Sequence, residues 1–208
     1  MKFFKVLFLS VLFFFSGIVY SDNLIPSSVE NSALKKYGPS SKKRFLSIKN
    51  DLLLKLKDSN EMKKLNVVNR WVNYIKYKSD KSLYGVSDYW ATLYEFVGKN
   101  SGDCEDYTIA KYYILKELGI DPRRMKFTYV VYKNTKGKKV SHMVLSYLKV
   151  LKPKSKKDIL ILDNNNRLIL PASKRKDIVR VLKMINGDTG AKSKKWKKLE
   201  ANMKRKKL

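Results

Sequence analysis

The chain has 208 residues, of which 46 are lysine or arginine and 18 are aspartate or glutamate, so its formal net charge is +28. A hydrophobic content of 44% is enough for one domain with a packed core. The single cysteine excludes an internal disulfide.

Such a basic composition is typical of proteins that bind nucleic acid or anionic lipid. Arginine is scarce compared with lysine, although arginine is the residue best suited to bidentate hydrogen bonds with bases and phosphates. The sequence also contains no zinc-ligand spacing and no P-loop motif. We therefore interpret the charge mostly as a solvated surface and expect no nucleic-acid partner.

Residues 1–21 have the pattern of an export signal. Lys2 and Lys5 precede an apolar run from Val6 to Val19, and Ser21 ends a stretch typical of a cleavage site. The apolar run is shorter than the roughly 20 residues that a membrane-spanning helix needs. No cysteine follows it, which excludes a lipoprotein anchor. The sequence therefore predicts a signal peptide and an exported mature chain.

A linker is predicted over residues 22–39, which are polar and interrupted by Pro26 and Gly38, with the folded domain over residues 40–186. Two amphipathic helices follow, because apolar residues recur on one face of each. Those residues are Phe45, Ile48, Leu52 and Leu56 in the first helix and Leu65, Val68, Val72 and Ile75 in the second. A polar loop from Lys78 to Asp88 is predicted next.

The next predicted helix begins after Asp103, an N-cap candidate, and ends at Gly119. Cys104 therefore falls in its first turn, where unpaired backbone N–H groups and the helix dipole favour an anion. This placement predicts a lowered thiol pKa and N–H donors for a developing oxyanion.

Two strand pairs are predicted in the second half of the chain. Phe127 to Tyr132 and Val140 to Leu148 flank a turn and form a hairpin, and Ile159 to Asp163 pairs with Arg167 to Leu170. A helix that carries a nucleophile and packs on this antiparallel sheet gives an α+β fold.

Residues 187–208 are predicted to form a basic C-terminal tail. Trp196, Leu199 and Met203 recur at helical spacing among lysines, which suits a basic amphipathic helix in weak contact with an anionic membrane. A disordered end fits the same residues, and both interpretations remain open.

The one cysteine and the one histidine of the chain suggest thiol catalysis. Cys104, His142 and Asp163 follow the order of a nucleophile, its base and the acid that orients the base. Each residue alone also has a structural interpretation: a small buried side chain, a satisfied core histidine or a turn aspartate. The three together favour a catalytic triad.

Carboxylates surround the predicted nucleophile at Asp103, Glu105 and Asp106. Like charges raise the pKa of a thiol, so a cation among these acids would favour its ionisation. Hard oxygen ligands suit Ca²⁺. Spacing alone favours helix capping instead, because no complete calcium loop of the EF-hand kind is present.

Several motifs resemble those of the bacterial transglutaminase-like cysteine proteinases, the LapG-type periplasmic proteases. The resemblance runs from about Val67 to Asp177. It is carried by Gly102-Asp103-Cys104-Glu105-Asp106-Tyr107, His142-Met143-Val144-Leu145, Leu162-Asp163-Asn164 and Leu170-Pro171-Ala172-Ser173. It implies a papain-like, transglutaminase-like fold with Cys104, His142 and Asp163 as the catalytic triad. It also implies Ca²⁺ held by Asp103, Glu105 and Asp106.

The same resemblance implies a calcium-dependent periplasmic cysteine endopeptidase. Its substrate would be the N-terminal region of a large surface adhesin, whose release controls biofilm attachment. Its inhibitor would be an inner-membrane receptor for cyclic di-GMP. A transglutaminase-type acyl transferase is the alternative, because it would use the same triad to pass the acyl group to an amine.

Overall fold

Helices precede a sheet along the chain in the computed structural model, which describes residues 24–186 and 193–208. The predicted signal peptide, residues 1–21, lies outside these ranges. The first part of the chain forms α1 (Ser27–Tyr37), α2 (Pro39–Ser47), a π-helical continuation over Ile48–Leu54, α3 (Glu61–Val72), β1 (Lys76–Tyr77), α4 (Asp80–Tyr84), α5 (Leu93–Lys99), β2 (Ser101–Gly102) and α6 (Cys104–Glu117).

The second part of the chain forms an antiparallel sheet and one further helix. Its elements are β3 (Met125–Lys133), β4 (Lys139–Leu148), β5 (Ile159–Leu162), β6 (Leu170–Pro171), β7 (Ile178–Asn186) and α7 (Lys194–Lys204). The strand order is β6-β5-β4-β3-β7. Strands β3 and β4 form the predicted hairpin, with Met125 opposite Tyr147 and Lys133 opposite Lys139. The predicted α+β class is confirmed, whereas β7 was not predicted.

Helix α6 packs on one face of this sheet. Side chains alternate across a strand, so Phe127 of β3 and Leu145 of β4 point to the helices and are fully buried. The apolar stripe predicted for α6 is also buried: Tyr107, Ala110, Ile114 and Leu118. The opposite face of the sheet carries a smaller cluster of Val130, Val144 and Ile161. The main core therefore lies between α6 and this face of the sheet.

The predicted linker is wrong for the residues that the structure describes, because they fold into α1. Ile25, Val29 and Ala33 are buried in the main core at helical spacing. Pro26 occupies the N-cap position of α1, where its missing N–H has no cost, and Gly38 ends the helix with φ 83°. The two residues that suggested a linker are therefore the boundaries of a helix.

Part of the predicted basic tail is an ordered helix whose apolar face is already covered. In α7, Trp196, Leu199 and Met203 are buried in the main core, and the Trp196 ring packs against Tyr112 and Phe127. The helical interpretation was therefore right for residues 194–204. The apolar stripe lies against the protein's own core, because these side chains complete it, so the stripe does not face a membrane. Among the described helices, none is long and apolar enough to cross a membrane.

Candidate active site

Helix α6 places Cys104 at its first position, directly after the short strand β2. The Asp106 carboxylate fixes this turn, because it accepts the N–H of Asp103 at 3.3 Å and the N–H of Ala91 at 2.9 Å. A Cβ atom on residue 102 would lie 2.5 Å from Asp106 Oδ2, so glycine is required for this approach. The Gly-Asp-Cys sequence therefore serves the geometry of the turn.

The sulfur of Cys104 lies in a mostly buried and electronegative setting. Its thiol donates to Glu105 Oε2 at 3.0 Å. Burial, together with the carboxylates of Glu105 and Asp103, raises the thiol pKa, although a hydrogen bond from the Met143 backbone opposes this. The prediction of a lowered pKa was therefore wrong for this state of the site, because burial and like charge outweigh the helix N-terminus.

His142 and Asp163 form a buried pair. His142 lies on β4, and Asp163 follows the neighbouring strand β5. His142 Nε2 lies 2.8 Å from Asp163 Oδ1, and both side chains are almost wholly buried. Asp163 follows the last residue of β5, and Leu145 pairs with Leu162 in the register of the two strands. This register brings the carboxylate beside the imidazole. The pair is what a base and its orienting acid require.

The Asp163 carboxylate is held in its ionised form. Burial alone would raise its pKa, but the hydrogen bond and charge of His142, the charge of Arg175 and the N–H of Asn165 together lower it well below the usual value. The backbone carbonyl of Asp163 accepts a further hydrogen bond, from Asn73 Nδ2 at 2.8 Å. Arg175 and Asn73 carried no signal in the sequence, because each is distant from Asp163 along the chain.

The first turn of α6, which carries Cys104, is attached to β4 at the residue after His142. The Thr108 hydroxyl bridges the Cys104 carbonyl at 2.9 Å and the Met143 carbonyl at 3.4 Å. Because Met143 follows His142 directly, the first turn of α6 is tied to the strand that carries the histidine. In the described part of the chain the sulfur bonds to Glu105 rather than to the imidazole. His142 uses Nε2 for Asp163, so Nδ1 is the nitrogen available to the thiol.

Five acids converge near the nucleophile. Their ligand atoms form three overlapping groups: Asp103 with Cys104 and Glu105, Asp80 with Asp103 and Asp106, and Asp80 with Asp88 and Glu105, each within 4.8 Å. Asp80 begins α4, inside the region predicted as a polar loop. Asp80 and Asp88 were not predicted as ligands. They meet Asp103 and Glu105 only in the folded chain, roughly 20 positions further on, and no sequence spacing predicts such a contact.

The chemistry of these carboxylates fits a hard cation. Asp80 Oδ1 and Asp103 Oδ1 are buried and have no hydrogen-bond partner among the described residues. Burial raises the pKa of Asp80, Asp103 and Asp106, and their mutual repulsion adds to the effect. Buried carboxylate oxygens that repel one another need a proton or a cation. An all-oxygen donor set of this kind suits Ca²⁺.

Asp106 differs from the other acids, because both of its oxygens already accept backbone N–H groups. Its visible role is to hold the turn before α6, and its role as a calcium ligand stays a prediction. Asp103 combines both tasks, since it is the N-cap of α6 and its Oδ2 accepts the N–H of Asp80 at 3.3 Å.

One aromatic ring packs near the imidazole, since the Tyr132 ring lies 5.4 Å from the His142 ring. Burial and the charges of Cys104 and Asp103 raise the pKa of Tyr77 to about 12. Trp90 packs edge-on against Trp196 with ring centroids 6.3 Å apart, as expected for a core side chain.

The chain is similar to known proteases in sequence and in fold. Residues 46–204 match the family model described as bacterial transglutaminase-like cysteine proteinase BTLCP. Calcium-bound LapG from Legionella pneumophila is 28% identical, with 85% of this chain and 98% of that chain covered and a TM-score of 0.67. A second LapG structure from that organism is 32% identical, covers 87% and 97% of the two chains, and has a TM-score of 0.66. EGTA-treated LapG from the same organism is 32% identical over the same shares, with a TM-score of 0.64. No curated protein matches the chain.

Proposed function

The chain belongs to the bacterial transglutaminase-like cysteine proteinases and is a cysteine protease, and from this premise we propose that Cys104, His142 and Asp163 form its catalytic triad. One observation carries the proposal. His142 and Asp163 form a 2.8 Å pair, and the Thr108 hydroxyl attaches the first turn of α6, which carries Cys104, to the carbonyl of Met143, the residue after His142. The expected transglutaminase-like protease fold is confirmed by the family match and by the likeness to LapG.

In the proposed reaction, His142 accepts the thiol proton of Cys104 at Nδ1 while Asp163 holds Nε2–H and stabilises the imidazolium. The thiolate attacks a backbone carbonyl carbon of the substrate. Backbone N–H groups at the start of α6, that of Cys104 above all, donate to the oxyanion. The leaving amine takes its proton from His142, and water then hydrolyses the acyl-enzyme.

We propose that Asp80, Asp88, Asp103 and Glu105 hold calcium beside the nucleophile. When bound, the ion supplies positive charge that neutralises these carboxylates. As a ligand, Glu105 would offer its carboxylate to the ion rather than to the hydrogen of the Cys104 thiol. The loss of like charge also favours the thiolate. Support comes from the two unpaired buried oxygens and from the existence of calcium-bound and EGTA-treated LapG structures.

For the cellular role, we propose export through residues 1–21 and action in the periplasm. The substrate is the N-terminal region of a large surface adhesin, and release of that adhesin controls biofilm attachment. An inner-membrane cyclic di-GMP receptor is the inhibitory partner. Support for this role comes from the motifs that resemble LapG-type proteases and from similarity over 98% of the Legionella LapG chain.

The test uses the mature protein and the N-terminal region of a large adhesin from the same genome, with calcium or with a chelator. We expect one discrete, calcium-dependent cut that adds water to the products and is absent in Cys104→Ala. Lys116→Met, at an exposed position of the same helix, leaves the nucleophile and its surroundings in place and should retain cleavage. Cleavage by folded Cys104→Ala would rule out the mechanism. Products joined to an amine would assign acyl transfer instead.

A further inference from the structure

Arg175 is a buried arginine directly behind the candidate triad. It is only 3% exposed and lies between the 3-10 turn Ala172–Lys174 and strand β7. Its Nη2 lies 2.6 Å from Asp163 Oδ2 and 2.7 Å from Asp177 Oδ2, and its Nε lies 2.9 Å from Asp177 Oδ1. The guanidinium therefore joins two carboxylates, of which only Asp163 touches the histidine.

The two oxygens of Asp163 have separate partners. Oδ1 accepts from Asn165 N–H at 2.9 Å and faces His142, whereas Oδ2 accepts from Arg175. A carboxylate turns easily about its terminal torsion, which has a broad, two-fold preference. A planar guanidinium on one oxygen fixes that torsion, because its donors have set directions. The other oxygen is then held toward the imidazole.

Arg175 acts beside other titratable groups. Asp163 interacts with His142 from β4 and with Lys111 from α6, in addition to Arg175 and Asp177 from the segment before β7. Burial lowers the pKa of Lys111 to about 7, so above that pH its amine does not replace the charge of Arg175, and the guanidinium adds donors with fixed directions. The particular contribution of Arg175 is the direction of its hydrogen bonds.

The guanidinium of Arg175 is itself anchored on both sides. Asp177 holds Nε and Nη2 of Arg175, and the Asp177 carbonyl accepts the N–H of Lys133 at the end of β3. The N–H of Arg175 donates to Ala172. The arginine is thus attached to the sheet on one side and to the turn that follows β6 on the other.

We propose that Arg175 is a positioning residue for the triad, an inference that rests on the proposed function of that triad. It locks Asp163 so that Oδ1 faces His142 Nε2. Nε2 then carries the imidazole proton, and Nδ1 keeps its lone pair for the Cys104 thiol.

The first measurement is ¹⁵N NMR of histidine-labelled, tag-free protein with calcium. Because His142 is the one histidine of the chain, its two ring-nitrogen signals need no assignment and report the tautomer directly. In the native protein we expect the proton on Nε2. In Arg175→Gln we expect both signals to move toward the average of two tautomers. Arg124→Gln is the control, because it breaks a comparable arginine contact on the carbonyl of Leu148 and should retain the native tautomer.

The second measurement is the rate of iodoacetamide alkylation at one pH, which reports on the single cysteine without any peptide substrate. We expect Arg175→Gln to react about tenfold to a hundredfold more slowly, as when a group that orients a functional ligand is lost. A folded Arg175→Gln with native tautomer and native rate would overturn the proposal. His142→Ala distinguishes failure of the positioning role from failure of the triad. If the cysteine of His142→Ala also reacts at the native rate, the proposed triad is wrong.

If Arg175→Gln does not fold, Arg175→Lys is the variant to measure. It keeps the charge but replaces the planar fork by a single ammonium group, so we expect a partly averaged tautomer and an intermediate alkylation rate. Native values in Arg175→Lys would show that charge, rather than the direction of the hydrogen bonds, is what the site needs, and would refute the positioning role.

Discussion

Lys111, two turns after Cys104 on α6, should lower the stability of the protein at neutral pH. It is 1% exposed, and burial lowers its pKa from 10.5 to about 7, although the charge of Asp163 opposes this. The difference is about 3.5 pKa units, each of which corresponds to about 1.4 kcal/mol. Charging this buried amine therefore costs roughly 5 kcal/mol. Lys111→Met keeps a flexible, unbranched side chain and removes the charge.

The sign of the pH dependence follows from proton binding. Between about pH 7 and pH 10.5 the unfolded chain holds the Lys111 proton and the native protein does not, so this group makes the protein more stable as pH rises. Below about pH 7 both states are protonated and the full cost is present. We expect Lys111→Met to exceed the native protein in free energy of unfolding by up to roughly 5 kcal/mol at or below pH 7, and by progressively less toward pH 10.

Urea unfolding at pH 6, 7, 8, 9 and 10, followed by tryptophan fluorescence in saturating calcium, measures this difference. Taking the difference between variant and native protein removes the contribution of every other titrating group. Lys116→Met is the matched control, since Lys116 lies exposed on the same helix, and its difference should not vary with pH. A constant difference for Lys111→Met across this range, or a variant less stable than the native protein at pH 7, would show that the charge of Lys111 does not destabilise the native core.

Two further substitutions test the turn and the acids. Gly102→Ala should lower both thermal stability and the alkylation rate of the cysteine, because its Cβ would lie 2.5 Å from Asp106 Oδ2; native values would show that the turn can relax. Asp80→Asn should weaken calcium binding about tenfold to a hundredfold in isothermal titration calorimetry, whereas Asp51→Asn, an exposed control, should not. Equal affinities for native protein and Asp80→Asn would remove Asp80 from the calcium site.

The residues of the proposed triad could be named from the sequence because the chain offers one cysteine and one histidine. Their local positions could be predicted too: Cys104 was predicted at a helix N-terminus and His142 on a strand, as the structure has them, and Asp163, predicted to end a strand, follows β5 directly. That these two strands pair was not predicted. Local patterns of this kind are set by short-range backbone preferences. Such positions can therefore be predicted from the sequence without knowledge of tertiary contacts.

The remaining groups depend on contacts between distant segments. Arg175 reaches the site from the segment before β7 and Asp80 from the start of α4, and no periodicity relates them to Cys104. The raised thiol pKa also required the structure, because burial is a tertiary property. Strand β7 was missed for a different reason: its side chains are half-exposed on both faces, so residues 178–186 show no clean alternation.

The packing of α7 against the start of the helical layer has a consequence for the order in which the enzyme matures. Thr92 Oγ1 donates to the Lys207 carbonyl at 2.7 Å across 115 positions, and Trp196 fills the core between α6 and β3. Contacts over such separations close late in folding. A chain made from its amino end would thus lack a complete core until α7 had been synthesised. The candidate site would therefore be fully supported only once this last described helix had packed.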